Sequence, residues 1–228
     1  MLVIGQRINP SGRPAFCAEL ARGSLRTVLR EALAQARAGA DALDVNVGEG
    51  AKDEAAIMGR ALRAIRKKIG LPLWPDSRHP QVLRAALEAC RAGDVLNSIS
   101  EHPDFLALLP AASRRGMGVV VHAAGGTVRE RMRSVRRVAA AARGAGIPRE
   151  RMWVDCLAMP FLLGSSVNRT TLAMIGALRK AGLPSLLALS NVSYGKPGRG
   201  KVEAVFLEEV QRRGLDACIL DPTRSSPP

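Results

Sequence analysis

Residues 37–48 read RAGADALDVNVG, and this stretch contains the pattern that decides the fold. An amphipathic segment ends at a glycine, which often follows a helix, and an apolar run from 42 to 47 begins soon after. Side chains alternate along a strand, so Asp44 and Asn46 lie on the same face. The stretch predicts a helix, a glycine cap and a buried strand with polar side chains at its end.

The same unit recurs along the 228 residues. Glycine closes further amphipathic segments in RAGDV, RRGMG, KAGLP and RRGLD. The apolar runs predict eight strands, at residues 2–5, 42–47, 71–74, 94–99, 118–123, 152–157, 185–192 and 216–221. The segments between them predict seven helices, at about residues 24–38, 51–69, 80–92, 103–115, 127–145, 167–182 and 202–214.

Alternation of apolar strands with helices indicates an α/β fold with a parallel sheet covered by helices. Eight strands favour closure into a (β/α)₈ TIM barrel. An open doubly wound sheet is the alternative, but the first loop, GQRINPSGRP, lacks the G-x-G-x-x-G spacing usual there. We expect one domain over residues 1–228.

The end of the chain departs from this scheme, because only PTRSSPP follows the eighth strand. The eighth helix is therefore expected to be missing, which would leave the groove between the first and seventh predicted helices uncovered. Three explanations stay open: a partner subunit covers the groove, residues 10–23 fold across it, or the barrel is a shortened variant.

Composition restricts the function classes. Hydrophobic residues make up 47% of the chain, yet no apolar run reaches the roughly 20 residues that a membrane span needs. The N-terminus does not resemble a signal peptide. We therefore expect a cytoplasmic location. The four cysteines and three histidines are scattered, which indicates no disulfide framework and no metal site. The net charge of +14 would attract polyanions, but aromatics are only 3%, too few to stack on bases, so nucleic acid is not the expected partner.

Polar side chains stand at the ends of the predicted strands. In chain order they are Arg7, Asn9, Asp44, Asn46, Asp76, Ser77, Asn97, Ser98, Ser100, His122, Asp155, Asn191, Ser193 and Asp221. The carboxyl ends of barrel strands form one mouth, where the chemistry of such folds takes place. Helix capping accounts for a few of these residues, such as Ser77 and Ser100, but not for the whole set.

The residue types indicate recognition of a ligand and not covalent catalysis. The set contains no Cys–His pair and no Ser–His–Asp order. A carboxylate accepts two hydrogen bonds from an amino group beside a ring N–H, and Asn amides pair with ring carbonyl and nitrogen atoms. The pattern predicts a site for a flat polar heterocycle. A 2-amino-4-oxo pyrimidine, as in a pterin, has those donors and acceptors.

Several motifs carry a family resemblance. Six stretches, in order along the chain, resemble the pterin-binding barrel family: VIGQRINPSGR, GADALDVNVG, PDSRHPQVLRAAL, LNSIS, GIPRERMWVDCLAMP and LALSNVSYGKPGR. They look most like the folate domain of cobalamin-dependent methionine synthase and like methyltetrahydrofolate:corrinoid protein methyltransferases. The GG-x-STRPG signature of dihydropteroate synthase does not follow the second strand, where the chain reads NVGEGAKDE.

The resemblance implies transfer of the N5-methyl group of 5-methyltetrahydrofolate, or of a related reduced pterin, to a Co(I) corrinoid. The cobalamin would be carried by a partner protein. Pterin-binding roles fall on Asp76, Asn97 and Asp155, and Asn9 falls in the ligand-lining first loop. Asn191 would lie near N5 as the catalytic residue.

In the strand-end interpretation Asn191 and Ser193 face the mouth, and the glycine-rich loop after them brings Arg199 over the bound ring, where the resemblance gives it a substrate contact.

Three departures from the family matter. Gln6 replaces the usual Glu, the eighth helix is missing, and the fifth strand ends in VHAAGG instead of T-M-D or T-M-N, which would remove one polar contributor. They leave open a pterin-binding or assembly subunit without turnover, and a dihydropteroate-synthase-like enzyme is the other alternative. We also expect a homodimer.

Overall fold

The computed structural model describes residues 1–164 and 166–224. Its strands are β1 (Leu2–Ile8), β2 (Ala42–Val45), β3 (Leu73–Pro75), β4 (Val95–Ile99), β5 (Gly118–His122), β6 (Met152–Asp155), β7 (Ser185–Ala188) and β8 (Ala217–Leu220). They form one parallel sheet in the order β3-β2-β1-β8-β7-β6-β5-β4. A bridge between Asp76 and Asn97 links the two ends of this order, so the eight-stranded barrel is nearly closed. The predicted TIM barrel is confirmed.

Helices alternate with these strands. They are α1 (Pro14–Ala21), α2 (Arg26–Arg37), α3 (Glu54–Arg66), α4 (Pro80–Ala86), α5 (Pro103–Leu106), α6 (Leu109–Arg114), α7 (Val128–Gly144), α8 (Arg169–Ala181) and α9 (Arg199–Arg212). The helix predicted at 103–115 is divided into α5 and α6, because Pro110 fits the first turn of a helix better than its interior. Helix α1 was not predicted. In the described residues no helix is long and apolar enough to cross a membrane.

The glycines that close the helices have the predicted conformation. Gly39 and Gly214 follow α2 and α9 with φ of 84° and 80°, and Gly182 follows α8 with φ of 63°. A side chain is strained at such positive angles, so glycine ends each helix at low cost. At the other end of a helix, Thr127 and Glu130 form a capping box at the start of α7.

The core has two layers because strand residues alternate. Inside the barrel lie Ile4, Ala42, Trp74, Val95, Val120, Leu186, Ala217 and Ile219. The intervening strand residues pack against the helices, as Leu43 and Val119 do. Large side chains fill the barrel: the ring centroids of Trp74 and Trp153 are 5.8 Å apart. The interior of the barrel is thus a packed core, and the polar groups lie at the mouth, where the carboxyl ends of the strands meet.

No helix follows β8 within the described residues, but the groove between α2 and α9 is not open. The outward-facing Cys218 and Leu220 of β8 are 0% and 5% exposed. The predicted uncovered groove is therefore wrong. Helix α1 does not fill it either, because Phe16 and Leu20 pack in the cluster of α2 and α3 side chains.

A chain of ion pairs crosses the place where an eighth helix would lie. Glu31 of α2 accepts from Arg7, and Arg7 Nη1 lies 2.8 Å from Asp221 Oδ2, just after β8. Arg224 then pairs with Asp221 at 3.3 Å and reaches Glu203 of α9 at 3.9 Å. Within the described residues, these ion pairs connect α2 to α9.

Candidate functional site

Four strands place amide and carboxyl side chains on the inner wall at the mouth of the barrel. Each lies two residues beyond a side chain of the inner core, so alternation turns it inward: Asp44 after Ala42, Asp76 after Trp74, Asn97 after Val95 and Asp155 after Trp153. The structure thus brings together the predicted Asp76, Asn97 and Asp155. Asp44, seen only as one of many strand-end residues in the sequence, completes the group.

Two Asn amides hold two of the carboxylates. Asn97 Nδ2 donates to Asp44 Oδ1 at 2.9 Å, and Asn46 Nδ2 donates to Asp76 Oδ2 at 2.8 Å. Asn46 Oδ1 accepts from the backbone N–H of Gly48 at 3.0 Å, so its amide is fixed at both ends. Strand β2 and the residue after it therefore orient Asn97 and Asp76.

Burial perturbs all three carboxyl groups. Desolvation raises the pKa of Asp76 to about 6. Desolvation, with the charge of Asp76 added, lifts the pKa of Asp44 well above its ordinary value. Desolvation also raises the pKa of Asp155. A mouth with three such groups favours a ligand that presents several N–H donors or a positive charge.

The fifth strand contributes one of the predicted polar side chains, His122, to this mouth. His122 is two residues beyond the inner-core Val120 and pairs in register with Asp155 of β6. The charge of His122 lowers the pKa of Asp155, against the larger effect of burial. His122 was one of the predicted strand-end residues, and the Asp or Asn of the T-M-D or T-M-N pattern is still missing from VHAAGG.

A buried arginine outside the barrel holds the loops after β5 and β6, next to Asp155. Arg131 of α7 is 5% exposed and donates from Nη1 to the carbonyl of Cys156 at 2.6 Å and from Nε to that of Gly125 at 3.0 Å. Asp155 Oδ1 accepts from the backbone N–H of Leu157 at 2.8 Å. Arg131 and Leu157 together fix the loops after β5 and β6.

The seventh strand ends earlier than predicted. Strand β7 stops at Ala188, and Leu189–Asn191 form a 3-10 turn, so alternation does not reach Asn191 and Ser193. Asn191 is exposed at the carboxyl end of the strand. Ser193 is fully buried and donates to Glu203 of α9. The expectation that Ser193 faces the mouth is wrong.

Arg199, at the start of α9, braces this loop. Its Nε donates to Ser193 Oγ at 2.9 Å and its Nη2 to the carbonyl of Ser190 at 3.2 Å. The guanidinium therefore lies against the segment that carries Asn191, and its contact with a ligand stays a prediction. Glu203, which binds Ser193 and lies 3.6 Å from Arg199, was missed in the sequence because nothing marks it apart from other helix carboxylates.

The first strand adds two side chains. Asn9 is half-buried after β1, and its Oδ1 accepts from the backbone N–H of Ser11 at 3.0 Å. Gln6 lies two residues beyond the inner-core Ile4, and its Oε1 is buried without a hydrogen-bond partner among the described residues. Such an orphaned oxygen is costly unless a ligand donor reaches it.

The chain matches the model of one protein family, "Pterin binding enzyme", over residues 5–221. This match includes each of the strands at the mouth and the loop of Asn191.

Curated relatives agree with the family match. The chain is 27% identical to a methionine synthase of Mycobacterium leprae and 26% identical to one of Mycobacterium tuberculosis, over 100% of its own length in each case. It spans only about a fifth of the length of these relatives, 20% and 21%. It is also 24% identical to a methylcorrinoid:tetrahydrofolate methyltransferase of Eubacterium limosum, covering 98% of this chain and 86% of the relative.

Solved structures with the same fold include dihydropteroate synthases. One from Xanthomonas albilineans superposes with a TM-score of 0.72 at 23% identity, covering 96% of this chain and 86% of the other. One from Coxiella burnetii superposes with a TM-score of 0.74 at 21% identity, covering 98% and 89%. At this identity the likeness concerns the fold alone. With the polar mouth and the family match over 5–221, these findings lead to one conclusion: the chain belongs to the family of pterin-binding enzymes.

Proposed function

We propose that this protein is a methyltransferase that moves the N5-methyl group of 5-methyltetrahydrofolate, or of a related reduced pterin, to a Co(I) corrinoid carried by a partner protein. The observation that carries the proposal is the polar mouth, where Asp44, Asp76 and Asp155 stand beside the amides of Asn46 and Asn97 and desolvation raises the pKa of each carboxyl group. The names of the methionine synthase and methylcorrinoid:tetrahydrofolate methyltransferase relatives support the reaction class.

The aminopyrimidine edge of the ring would bind to Asp155. One oxygen of Asp155 accepts from Leu157, and a carboxylate has capacity for further donors, such as an amino group and the ring N–H beside it. Asp76 and Asn97, on neighbouring strands, would bind the next edge of the ring. Asn9 and Gln6 would complete the wall on the side of β1, with the Gln6 oxygen accepting from the ligand.

Methyl transfer needs help at N5 because an amine is a poor leaving group. The electron pair of Co(I) forms the new bond to the methyl carbon, the C–N bond breaks, and N5 keeps its electron pair and takes up a proton. An oriented donor at N5 stabilises this change of charge. We assign that role to Asn191, whose side chain is exposed at the end of β7 while Arg199 and Glu203 hold its loop.

The name of the Eubacterium limosum relative describes the opposite direction, from a methylcorrinoid to tetrahydrofolate. One site serves both directions, because the same transition state is crossed either way. The direction is then set by the supply of methyl donor and acceptor, and we propose the direction toward the corrinoid for this protein.

Titration followed by transfer tests the function. The protein is first titrated with 5-methyltetrahydrofolate by calorimetry, and the complex is then mixed with cob(I)alamin while the cobalt oxidation state is followed optically. We expect saturable binding and protein-dependent loss of the Co(I) spectrum. Asp155→Asn, which keeps the size of the side chain but replaces an acceptor oxygen by a donor, should weaken binding.

Two outcomes would contradict the proposal. Absence of pterin binding would remove both the enzyme and the binding-subunit hypotheses. Binding with no protein-dependent change at cobalt would leave a pterin-binding or assembly subunit. Glu150→Gln, at an exposed carboxylate in the turn that leads into the amino end of β6 and thus at the opposite end of the barrel from the mouth, is the matched control and should behave as the wild-type protein does.

A further inference from the structure

Exposed apolar side chains are concentrated on one side of the molecule. In the described part of the chain the large hydrophobic residues that are exposed are Met1, Met159, Leu162, Leu163, Tyr194 and Val205. Apart from Met1, they occupy the loop after β6, the loop after β7 and helix α9. Contiguous apolar exposure of this kind marks an interaction surface more often than scattered exposure does.

The two loops form one continuous ridge. The backbone N–H of Phe161 donates to the carbonyl of Val192 at 3.0 Å. The side chain of Leu162 lies directly over Gly195, where a Cβ would come within 2.5 Å of it. The loop that holds Asn191 is thus joined to the exposed Leu162, Leu163 and Tyr194, which we call the loop ridge.

An apolar groove continues from this ridge between α8 and α9. Helix α8 packs closely on α7, whereas α9 packs mainly on the turn at residues 189–191, which leaves a gap between the two helices. The resulting cavity has a volume of about 590 Å³. It is lined by Phe161, Leu172, Val202, Val205 and Phe206. The rings of Phe161 and Phe206 pack edge to face, with their centroids 5.7 Å apart. Val205 is 68% exposed on its open side.

The rim of the groove is positively charged. The groove is bordered by three basic residues and one acidic residue: Arg169, Lys201, Arg212 and Glu209. Glu209 is paired with Arg212 at 2.9 Å and with Arg213 at 2.7 Å. Among the described residues, Arg169 and Lys201 have no ion-pair partner. The rim therefore offers unpaired cations beside an apolar floor.

We propose that the groove between α8 and α9, with the loop ridge, docks an acidic amphipathic helix of a partner protein. An amphipathic helix fills such a groove with apolar residues spaced i, i+3, i+4 and i+7. Helix α8, with 13 residues, offers about 20 Å of groove length, enough for some three to four turns. Carboxylates on the flanks of the docked helix would pair with Arg169 and Lys201.

The charge of the molecule favours such a partner over a second copy. The chain carries a formal charge of +14, so self-association at this rim would bring like charges together. The ridge also borders Asn191, so a docked partner would stand beside the mouth of the barrel. The inference concerns the partner and does not depend on which pterin the mouth binds.

A designed peptide tests the docking. The probe is a fluorescein-labelled helix of 18 residues, with Leu at i, i+3, i+4 and i+7 and Glu on the flanking positions, and binding is followed by anisotropy. We expect micromolar binding to the wild-type protein, weakened at least tenfold by Val205→Glu and by Lys201→Glu. Arg136→Glu, an exposed charge reversal on α7, is the control and should bind the probe about as well as the wild-type protein.

Three results would overturn the proposal: no binding by the wild-type protein, equal binding of a peptide with Lys in place of Glu, or equal binding by both groove variants. A dimer that Val205→Glu dissociates, seen by light scattering, would assign the groove to a second copy instead. The groove variants should keep the wild-type affinity for 5-methyltetrahydrofolate, so a failure of docking is distinguished from a failure of the pterin site.

Discussion

Asp76 is a carboxyl group whose burial serves binding at the expense of stability. Its pKa is raised to about 6 by desolvation, from an ordinary value of 3.8, so the folded protein binds a proton more tightly than the unfolded chain. This contribution to stability is present at acid pH and is lost as the pH rises through about 6. At neutral pH the Asp76 carboxylate is charged in surroundings that disfavour its charge, and this lowers the stability of the folded protein.

Asp76→Asn should therefore stabilise the ligand-free protein at pH 7. Two pKa units correspond to roughly 3 kcal/mol, which is an upper bound for the gain in the free energy of unfolding. The Asn oxygen still accepts from Asn46, so the Asn46 amide keeps its acceptor. Urea denaturation at pH 7 and at pH 4 checks the sign, with the gain shrinking at pH 4. Equal effects at the two values of pH would contradict it.

Asp44 should affect pterin binding indirectly, because it orients the amide of Asn97. Asp44→Ala removes the acceptor that fixes the Asn97 amide. We expect it to weaken binding of 5-methyltetrahydrofolate by about 10- to 100-fold, the range found when outer-shell partners of metal ligands are removed. Asp44→Asn keeps an acceptor oxygen and should retain more of the affinity for 5-methyltetrahydrofolate. A double-mutant cycle with Asn97→Ala measures the coupling between the two residues. Additive losses would show that Asp44 does not act through Asn97.

Asn191→Ala should slow methyl transfer by about 10²- to 10³-fold, the usual cost of removing one preorganised donor. The affinity for the pterin should change much less, because the ring would be held by Asp76, Asn97 and Asp155. Single-turnover mixing with cob(I)alamin separates the transfer rate from binding. A variant with the wild-type rate would remove Asn191 from the chemistry.

At the scale of elements, a chain of ion pairs connects α2 to the residues just after β8. The guanidinium groups of Arg7 and Arg13 bring the pKa of Glu31 down to about 2, although burial opposes them. The stabilisation is present above the ordinary pKa of 4.5 and is lost as the pH falls from there toward 2. Acid should therefore loosen the α2 edge of the barrel.

Glu31→Ala should destabilise the protein by about 2–3 kcal/mol at pH 7, less than the ~3–5 kcal/mol of a fully buried pair because Arg7 is partly exposed. Chemical denaturation at pH 7 and pH 3 should show the difference from wild type shrinking in acid. Glu88→Ala breaks an exposed pair with Arg115 and serves as the control, with an expected loss of at most about 1 kcal/mol. An equal loss in the two variants would contradict the role of the network.

The strand ends show why part of the site was predictable and part was not. Alternation within a strand places Asp44 and Asp155 inward, and this holds because the pleat continues to the strand end. It fails at Ser193, because β7 gives way to a 3-10 turn inside an apolar run that gives no local signal of ending. Ser193 is instead buried by Glu203, a partner ten residues away in another element.

At the scale of the molecule, the repeating unit of strand, helix and glycine was enough to predict eight strands and the barrel. The ion pairs across the α2–α9 gap and the groove between α8 and α9 were not predictable, because they depend on distances between elements remote in sequence. The family resemblance supplied the pterin, whereas the residues themselves indicated only a flat polar heterocycle.

Transfer of a labelled methyl group tests the central claim most directly. The protein is mixed with 5-methyltetrahydrofolate that carries ¹³C in the N5-methyl group and with cob(I)alamin, and the label is followed by NMR. We predict that the N5-methyl signal is lost and a cobalt-bound methyl signal appears in equal amount, at a rate proportional to protein concentration. A label that stays on N5 while the pterin is bound would contradict the proposed function.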